Sequence, residues 1–133
     1  PAKIAVCINT QNFTHEFIQE SGVFSVSVLS KGTEMPFIGR FGFKSGRDVD
    51  KFKGAQYITG STGAPVITES SIAWVDARVV ASAPVGTHTL FIGEISGGEV
   101  LSDDEPMTYE YYHQVKGGRS PKTAPTYIPS GGQ

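Results

Sequence analysis

Apolar and polar residues alternate along much of this chain with a period of two, the spacing of half-buried β-strands. Ile4, Val6 and Ile8 alternate with Ala5 and Cys7, which predicts a strand with one heavily apolar face. Phe24, Val26 and Val28 alternate with Ser25 and Ser27 and predict a second. Between them a short helix is expected. Thr14 is a good N-cap, Phe13 and Ile18 are spaced as the N′ and N4 residues of a hydrophobic staple, and Gly22 stands where a C′ glycine belongs. Phe37, Ile38 and Phe41 fit one turn of another short helix after Pro36. Repeated turns are expected over Gly60-Ser61-Thr62-Gly63-Ala64-Pro65.

The clearest two-faced pattern runs from Ile72 to Ala81. Ala73, Val75, Ala77, Val79 and Ala81 form a small apolar face, with Trp74, Asp76 and Arg78 on the other. A tryptophan among polar residues is better explained by a subunit interface or a ligand than by open solvent. A further strand is expected from His88 to Glu94, turning at Gly97-Gly98 and returning through Val100-Leu101. The residues after Pro106 carry few aliphatics and, apart from Thr108 to Tyr112, do not read as strand. This tail, 106–133, is expected to lie over the surface or to reach a partner subunit. No internal repeat is present.

Sixteen glycines and eight prolines among short β-branched and aromatic runs fit a mainly β fold rich in turns. At 133 residues the chain is read as a single domain, 1–133. A net charge of −2 gives no electrostatic case for nucleic acid or an anionic membrane surface. No apolar run approaches the roughly 20 residues that span a bilayer, and no signal-peptide pattern opens the chain. The single Cys7 excludes an intrachain disulfide and fits a reducing cytoplasm; in its apolar setting it reads as a small core residue. Neither metal-ligand spacing nor a Cys-X-X-Cys motif is present, so no metal site is expected.

Three segments carry candidate chemistry, each with a plainer reading beside it. Asn9, Thr10, Gln11, Asn12 and Thr14 approach a helix start, where unpaired N–H groups and the helix dipole favour a phosphate; taken alone, ordinary capping with a polar loop is the favoured explanation. No GxGxxG and no Walker motif argues for a Rossmann or P-loop site. Lys44, Ser45, Arg47 and Lys51 form a basic loop partly neutralised by Asp48 and Asp50; a solvated loop with local ion pairs is the alternative. His88 stands at the mouth of an otherwise apolar strand in Gly86-Thr87-His88-Thr89-Leu90-Phe91-Ile92-Gly93-Glu94. It is either a satisfied core or edge histidine, or a group that acts on a ligand.

Over nearly its whole length the chain resembles the flavin reductase-like family of FMN-binding split β-barrels. The resemblance is carried by Lys3-Ile4-Ala5-Val6-Cys7-Ile8-Asn9, Thr14-His15-Glu16, Glu20 to Leu29, the loop from Phe37 to Phe52, Gly63-Ala64-Pro65, the His88 strand, Pro106 to Tyr109, and Lys122 to Tyr127. It is closest to the short subgroup of flavoredoxin-like proteins and the flavin domains of high-molecular-weight rubredoxins. Members carry an N-terminal strand pair before the position of Pro1, so the domain is expected to be N-terminally shortened, with flavin loss as one possible result.

The resemblance implies a Greek-key split barrel with two or more short helices, and FMN rather than FAD. It implies that the turn Asn9, Thr10, Gln11, Asn12 and Thr14 holds the FMN phosphate. Lys44, Ser45, Arg47 and Lys51 would neutralise that phosphate or the N1–C2=O edge of reduced flavin. His88 would be the catalytic residue, acting on flavin or nicotinamide. Tyr109, Tyr111, Tyr112 and His113 would cover the isoalloxazine or pack on a neighbouring barrel. The implied activity is an NAD(P)H-dependent flavin or ferric reductase, passing hydride to flavin N5 and electrons to an acceptor. The alternative is an FMN-bound electron-transfer protein serving a partner such as rubredoxin. A homodimer with flavin sites near the subunit boundary is expected in either case.

Overall fold

The computed structural model describes residues 1–42 and 54–117. Its elements are β1 (Lys3–Asn9), α1 (Phe13–Ser21), β2 (Val23–Leu29), α2 (Met35–Gly42), β3 (Tyr57–Thr59), β4 (Pro65–Ile67), β5 (Ser71–Val85), β6 (His88–Val100) and α3 (Tyr109–Gln114). The architecture is the mainly β split barrel with short helices that the alternation predicts. Four antiparallel strands form the main sheet in the order β1-β6-β5-β2, and β3 and β4 form a separate hairpin.

Register decides which residues meet on each face. Ile4 pairs with Gly93, Val6 with Phe91 and Ile8 with Thr89. These rows point inward, where Ile18, Phe24, Ala77 and Phe91 form the core and Ile4, Val6, Ile8, Val26 and Val79 pack against it. Gly93 leaves the room that Phe24 fills, since a Cβ there would lie 2.7 Å from the ring and 2.8 Å from Ala77 Cβ. The alternate rows point outward. Cys7, Leu90 and Ala83 form one, and Ala5, Ile92 and Ala81 another. Cys7 is therefore exposed and not a core residue, because the inward side of β1 is already taken by its three larger aliphatics.

Two β-bulges break the simple alternation of β5. The register with β6 shifts between Asp76 and Ala77 and again between Val79 and Ala81. As a result Asp76 and Ala77, neighbours in sequence, are both fully buried. The smooth face expected from Ala73 to Ala81 is thus interrupted, and Ala81 ends exposed.

The expected turn at Gly97-Gly98 is absent; both lie inside the long strand β6. These glycines serve close approach instead of reversal. A Cβ on Gly97 would meet Asp76 Oδ1 and Ser61 Oγ at 2.9 Å, and one on Gly98 would meet Trp74 O at 2.8 Å. Thr108 to Tyr112, read as strand-like, opens α3: the Thr108 hydroxyl accepts from the Tyr111 N–H (3.1 Å) and caps the helix.

The hairpin of β3 and β4 lies over the face of the sheet that carries Ser25, Ser27 and Asp76. Ser25 Oγ donates to Pro65 O (2.6 Å) and Ser27 Oγ to Ile67 O (2.7 Å). The Asp76 carboxylate accepts from the Thr62 N–H (2.7 Å) and from the Ser61 hydroxyl (3.1 Å). Burial pushes the Asp76 carboxyl upward, but these bonds from Thr62 and Ser61 outweigh it and hold it below its ordinary value.

Candidate functional site

The end of the sheet where β1 leaves and β6 enters assembles a polar cluster from two distant parts of the sequence. Asn9, the last residue of β1, pairs with His88, the first of β6. The Thr10 N–H donates to Thr87 O (2.9 Å), and its hydroxyl reaches the same carbonyl (3.2 Å). Asn9 Oδ1 accepts from the Gln11 N–H (2.8 Å), and the Asn12 N–H closes the turn on Asn9 O (3.0 Å). This Asx-type turn fixes the path of the backbone into α1.

The helix then starts earlier than expected. Asn12 is the N-cap, with extended backbone (φ −75°, ψ 141°), and its carbonyl accepts from the His15 N–H (3.0 Å). Thr14 therefore sits inside the first turn, and the predicted Phe13–Ile18 staple is replaced by an edge-on contact of Phe13 with Phe17 at 4.6 Å. Ile18 instead faces the core. At the other end Gly22 adopts the left-handed conformation (φ 70°) and donates to Ile18 O, as its position predicts. The Asn12 side chain makes no cap hydrogen bond. An N-cap side chain ordinarily accepts from the first-turn N–H groups, and such groups are also the donors a terminal phosphate uses.

His88 is half-buried, and its Nδ1 lies 2.8 Å from the Thr87 hydroxyl. It stands with Asn9 and Val85 in the outward row next to Cys7, Leu90 and Ala83. The polar cluster is thus the head of an outward apolar sheet face on which Cys7, Ala81, Ala83 and Val85 are exposed. A planar apolar ring with a phosphate tail has matching halves.

The structure brings together Asn9, Thr10, Gln11, Asn12, Thr14 and His88. Lys44, Ser45, Arg47 and Lys51 lie outside the described residues, as do Lys122 and Thr126. The turn itself holds no cation, and Glu16 is the acidic residue in the first turn of α1. The described tail residues are not gathered here. Tyr111 lies under Lys31 (4.7 Å from Nζ to ring centre), and Ser30 bridges Pro106. Leu29 pairs with Ser71, so α3 packs at the end of β5 remote from Val85 and His88. Tyr109, Tyr111, Tyr112 and His113 do not reach the cluster.

One residue at work here was not assigned a role by sequence. His15 is the buried histidine, and its Nε2 shares a 2.8 Å hydrogen bond with Thr89 Oγ1. Its spacing of three from Ile18 on one helix face was the available signal. Trp74 is half-buried, not solvent-facing, and its indole N–H is buried without a partner. Among the described residues no cluster of three or more potential metal ligands occurs, and no helix is long and apolar enough to cross a membrane.

The profile described as flavin reductase like domain matches residues 1–118. A ferric-chelate reductase (NAD(P)H) of Archaeoglobus fulgidus is 50% identical over 130 residues, 98% of this chain and 77% of that protein. A high molecular weight rubredoxin of Moorella thermoacetica is 49% identical over 127 residues, 96% of this chain and 56% of that one. Among solved structures, flavoredoxin from Methanosarcina acetivorans superposes with a TM-score of 0.70 at 31% identity, covering 75% of this chain and 53% of that chain. An FMN-binding protein of Thermus thermophilus gives 0.70 at 28% identity, covering 77% and 57%. The chain spans little more than half the length of the rubredoxin and of both solved structures.

Proposed function

The chain belongs to the flavin reductase-like family, and from that membership we propose that it is an FMN-carrying, NAD(P)H-dependent reductase of the flavin or ferric type. The observation that supports this best is the polar turn Asn9–Asn12, with His88 beside it, at the head of an exposed apolar sheet face. Bound FMN would accept hydride from the nicotinamide at N5 and release electrons to an acceptor. The protein's share is placement. Asn9, Thr10, Gln11, Asn12 and Thr14, with the first-turn N–H groups of α1, would hold one monophosphate; the absence of a dinucleotide fingerprint favours FMN over FAD. Because the turn has no cation and Glu16 is close by, the balancing positive charge falls to Lys44, Arg47 and Lys51, with Ser45 as a neutral donor.

His88 is the residue we assign to the reacting rings. Thr87 holds its Nδ1 and so fixes the imidazole plane, which suits it to hydrogen-bond the flavin edge or orient the nicotinamide. We further propose that residues 1–133 act as one unit and pair as a homodimer in a reducing, cytoplasmic compartment. The outward row of exposed Cys7 and Ala83 with half-buried Leu90 gives such a dimer a surface to cover.

The likeness to the rubredoxin favours one second reading, an FMN-bound electron carrier serving a redox protein partner. A visible spectrum decides between them. The purified chain is expected to carry flavin bands that NADH or NADPH bleaches anaerobically without any partner. Bands that bleach only when a partner protein is added would favour the carrier; a colourless chain that takes up no FMN would defeat both.

A further inference from the structure

We infer that His15 and Thr89 are positioning residues that lock the phosphate-binding turn to the strand carrying His88; this rests on the reading of that turn as a flavin site. The helix start lacks the usual anchor, since the Asn12 side chain makes no cap bond. Something else must fix the first turn of α1 against the sheet. His15 lies one turn in, is 7% exposed, and its ring stands 5.4 Å from Phe91. Its Nε2 meets the hydroxyl of Thr89, itself 6% exposed, at 2.8 Å.

Thr89 is the residue after His88, and it pairs with Ile8, the residue before Asn9. One buried hydrogen bond therefore spans the two halves of the cluster from beneath. Thr10 on Thr87 O spans them from above, in the exposed part of the turn. An apolar pair at 15 and 89 would fill the same space. It would set the distance between helix and strand but not their angle, because apolar packing is non-directional. A hydrogen bond is directional, so it fixes the rotation of α1 about its axis and the aim of its first-turn N–H groups. A buried polar pair inside an otherwise apolar core is what such a role requires.

The test compares His15→Leu, Thr89→Val and their double variant with Thr89→Ser, which keeps the hydroxyl. Val26→Ala, remote from the turn, serves as a control for plain loss of stability. FMN is titrated into each full-length chain. The Leu and Val variants are expected to bind about tenfold more weakly, the size of one lost buried hydrogen bond, with the double variant no weaker than either single. Thr89→Ser should stay within about twofold of the parent, and Val26→Ala should lower Tm without that loss. Amide exchange at Thr10 and Gln11 in the flavin-free chain should quicken in His15→Leu and not in Val26→Ala. Affinity and exchange that follow Tm alike in every variant would overturn the inference. If the parent takes up no FMN the flavin reading fails, and exchange alone then upholds or overturns the positioning role.

Discussion

His88 and His15 are separated by burial and by partner. The first stands half-buried at a strand entrance with Nδ1 held by Thr87, and the second is enclosed against Thr89 and Phe91. The buried, hydrogen-bonded histidine of the core is thus His15, and the ligand role is proposed for His88. His88→Ala is expected to slow flavin reduction by NAD(P)H at least tenfold, the low end of what positioned polar groups contribute, while moving Tm by only a few degrees. Stopped-flow reduction set beside a melting curve checks it; a fall in Tm with unchanged reduction would return His88 to a packing role. Asp76 works beneath the turn between β3 and β4. Asp76→Ala strands the donors of Ser61 and Thr62 and should cost about 3 kcal/mol in a urea titration. Because its folded pKa lies below its ordinary 3.8, the carboxylate adds stability that is complete above about pH 5. That contribution is lost as pH falls through 3.8 and below, and the variant should show a flatter acid limb.

At the scale of elements, α1 joins the sequence pattern to the candidate chemistry. Asn12→Ala should leave Tm nearly unchanged, since the side chain caps nothing, yet weaken FMN binding about tenfold if it supplies a phosphate hydrogen bond. Thr14→Ala should act in the same direction. A stability loss of about 1 kcal/mol with intact FMN affinity would mean that both residues merely serve the helix. The strands β1 and β2 were legible because one apolar face repeats every second residue, and the helix end was legible from Gly22. The helix start shifted by two residues because Asn12 and Thr14 are both good caps, and the Asx turn from Asn9 chose between them. The bulges of β5 and the straight run through Gly97 and Gly98 were hidden. Gly97 is met by Asp76 of β5 and Ser61 of the turn between β3 and β4, contacts that no local pattern records. Joining Asn9 to His88 likewise required the β1–β6 pairing, a long-range fact.

For the molecule as a whole, the outward rows of β1, β6 and β5 are the surface offered to the proposed dimer. Trp74 was the first candidate for an interface, but the hairpin of β3 and β4 hydrogen-bonds to the sheet on either side of it, at Ser27 and Asp76. The row of Cys7, Leu90 and Ala83 is the stronger candidate. Sedimentation should find a dimer, and Ala83→Glu should dissociate it and loosen FMN together, because a charge placed in an apolar interface has no partner. A parent chain that sediments as a monomer with full flavin occupancy would end that proposal.

The strand order has a consequence during synthesis. Lys3 pairs with Glu94 and Asn9 with His88, and β6 is the neighbour of β1 in the sheet. At roughly 5–20 residues per second, a ribosome needs several seconds to deliver β6 after β1 has emerged. β1 waits through that interval without its pairing strand and Phe91, because closing so long a loop must precede any reward from pairing. The hazard of misassembly is therefore concentrated in the nascent chain, before β6 emerges to complete the sheet.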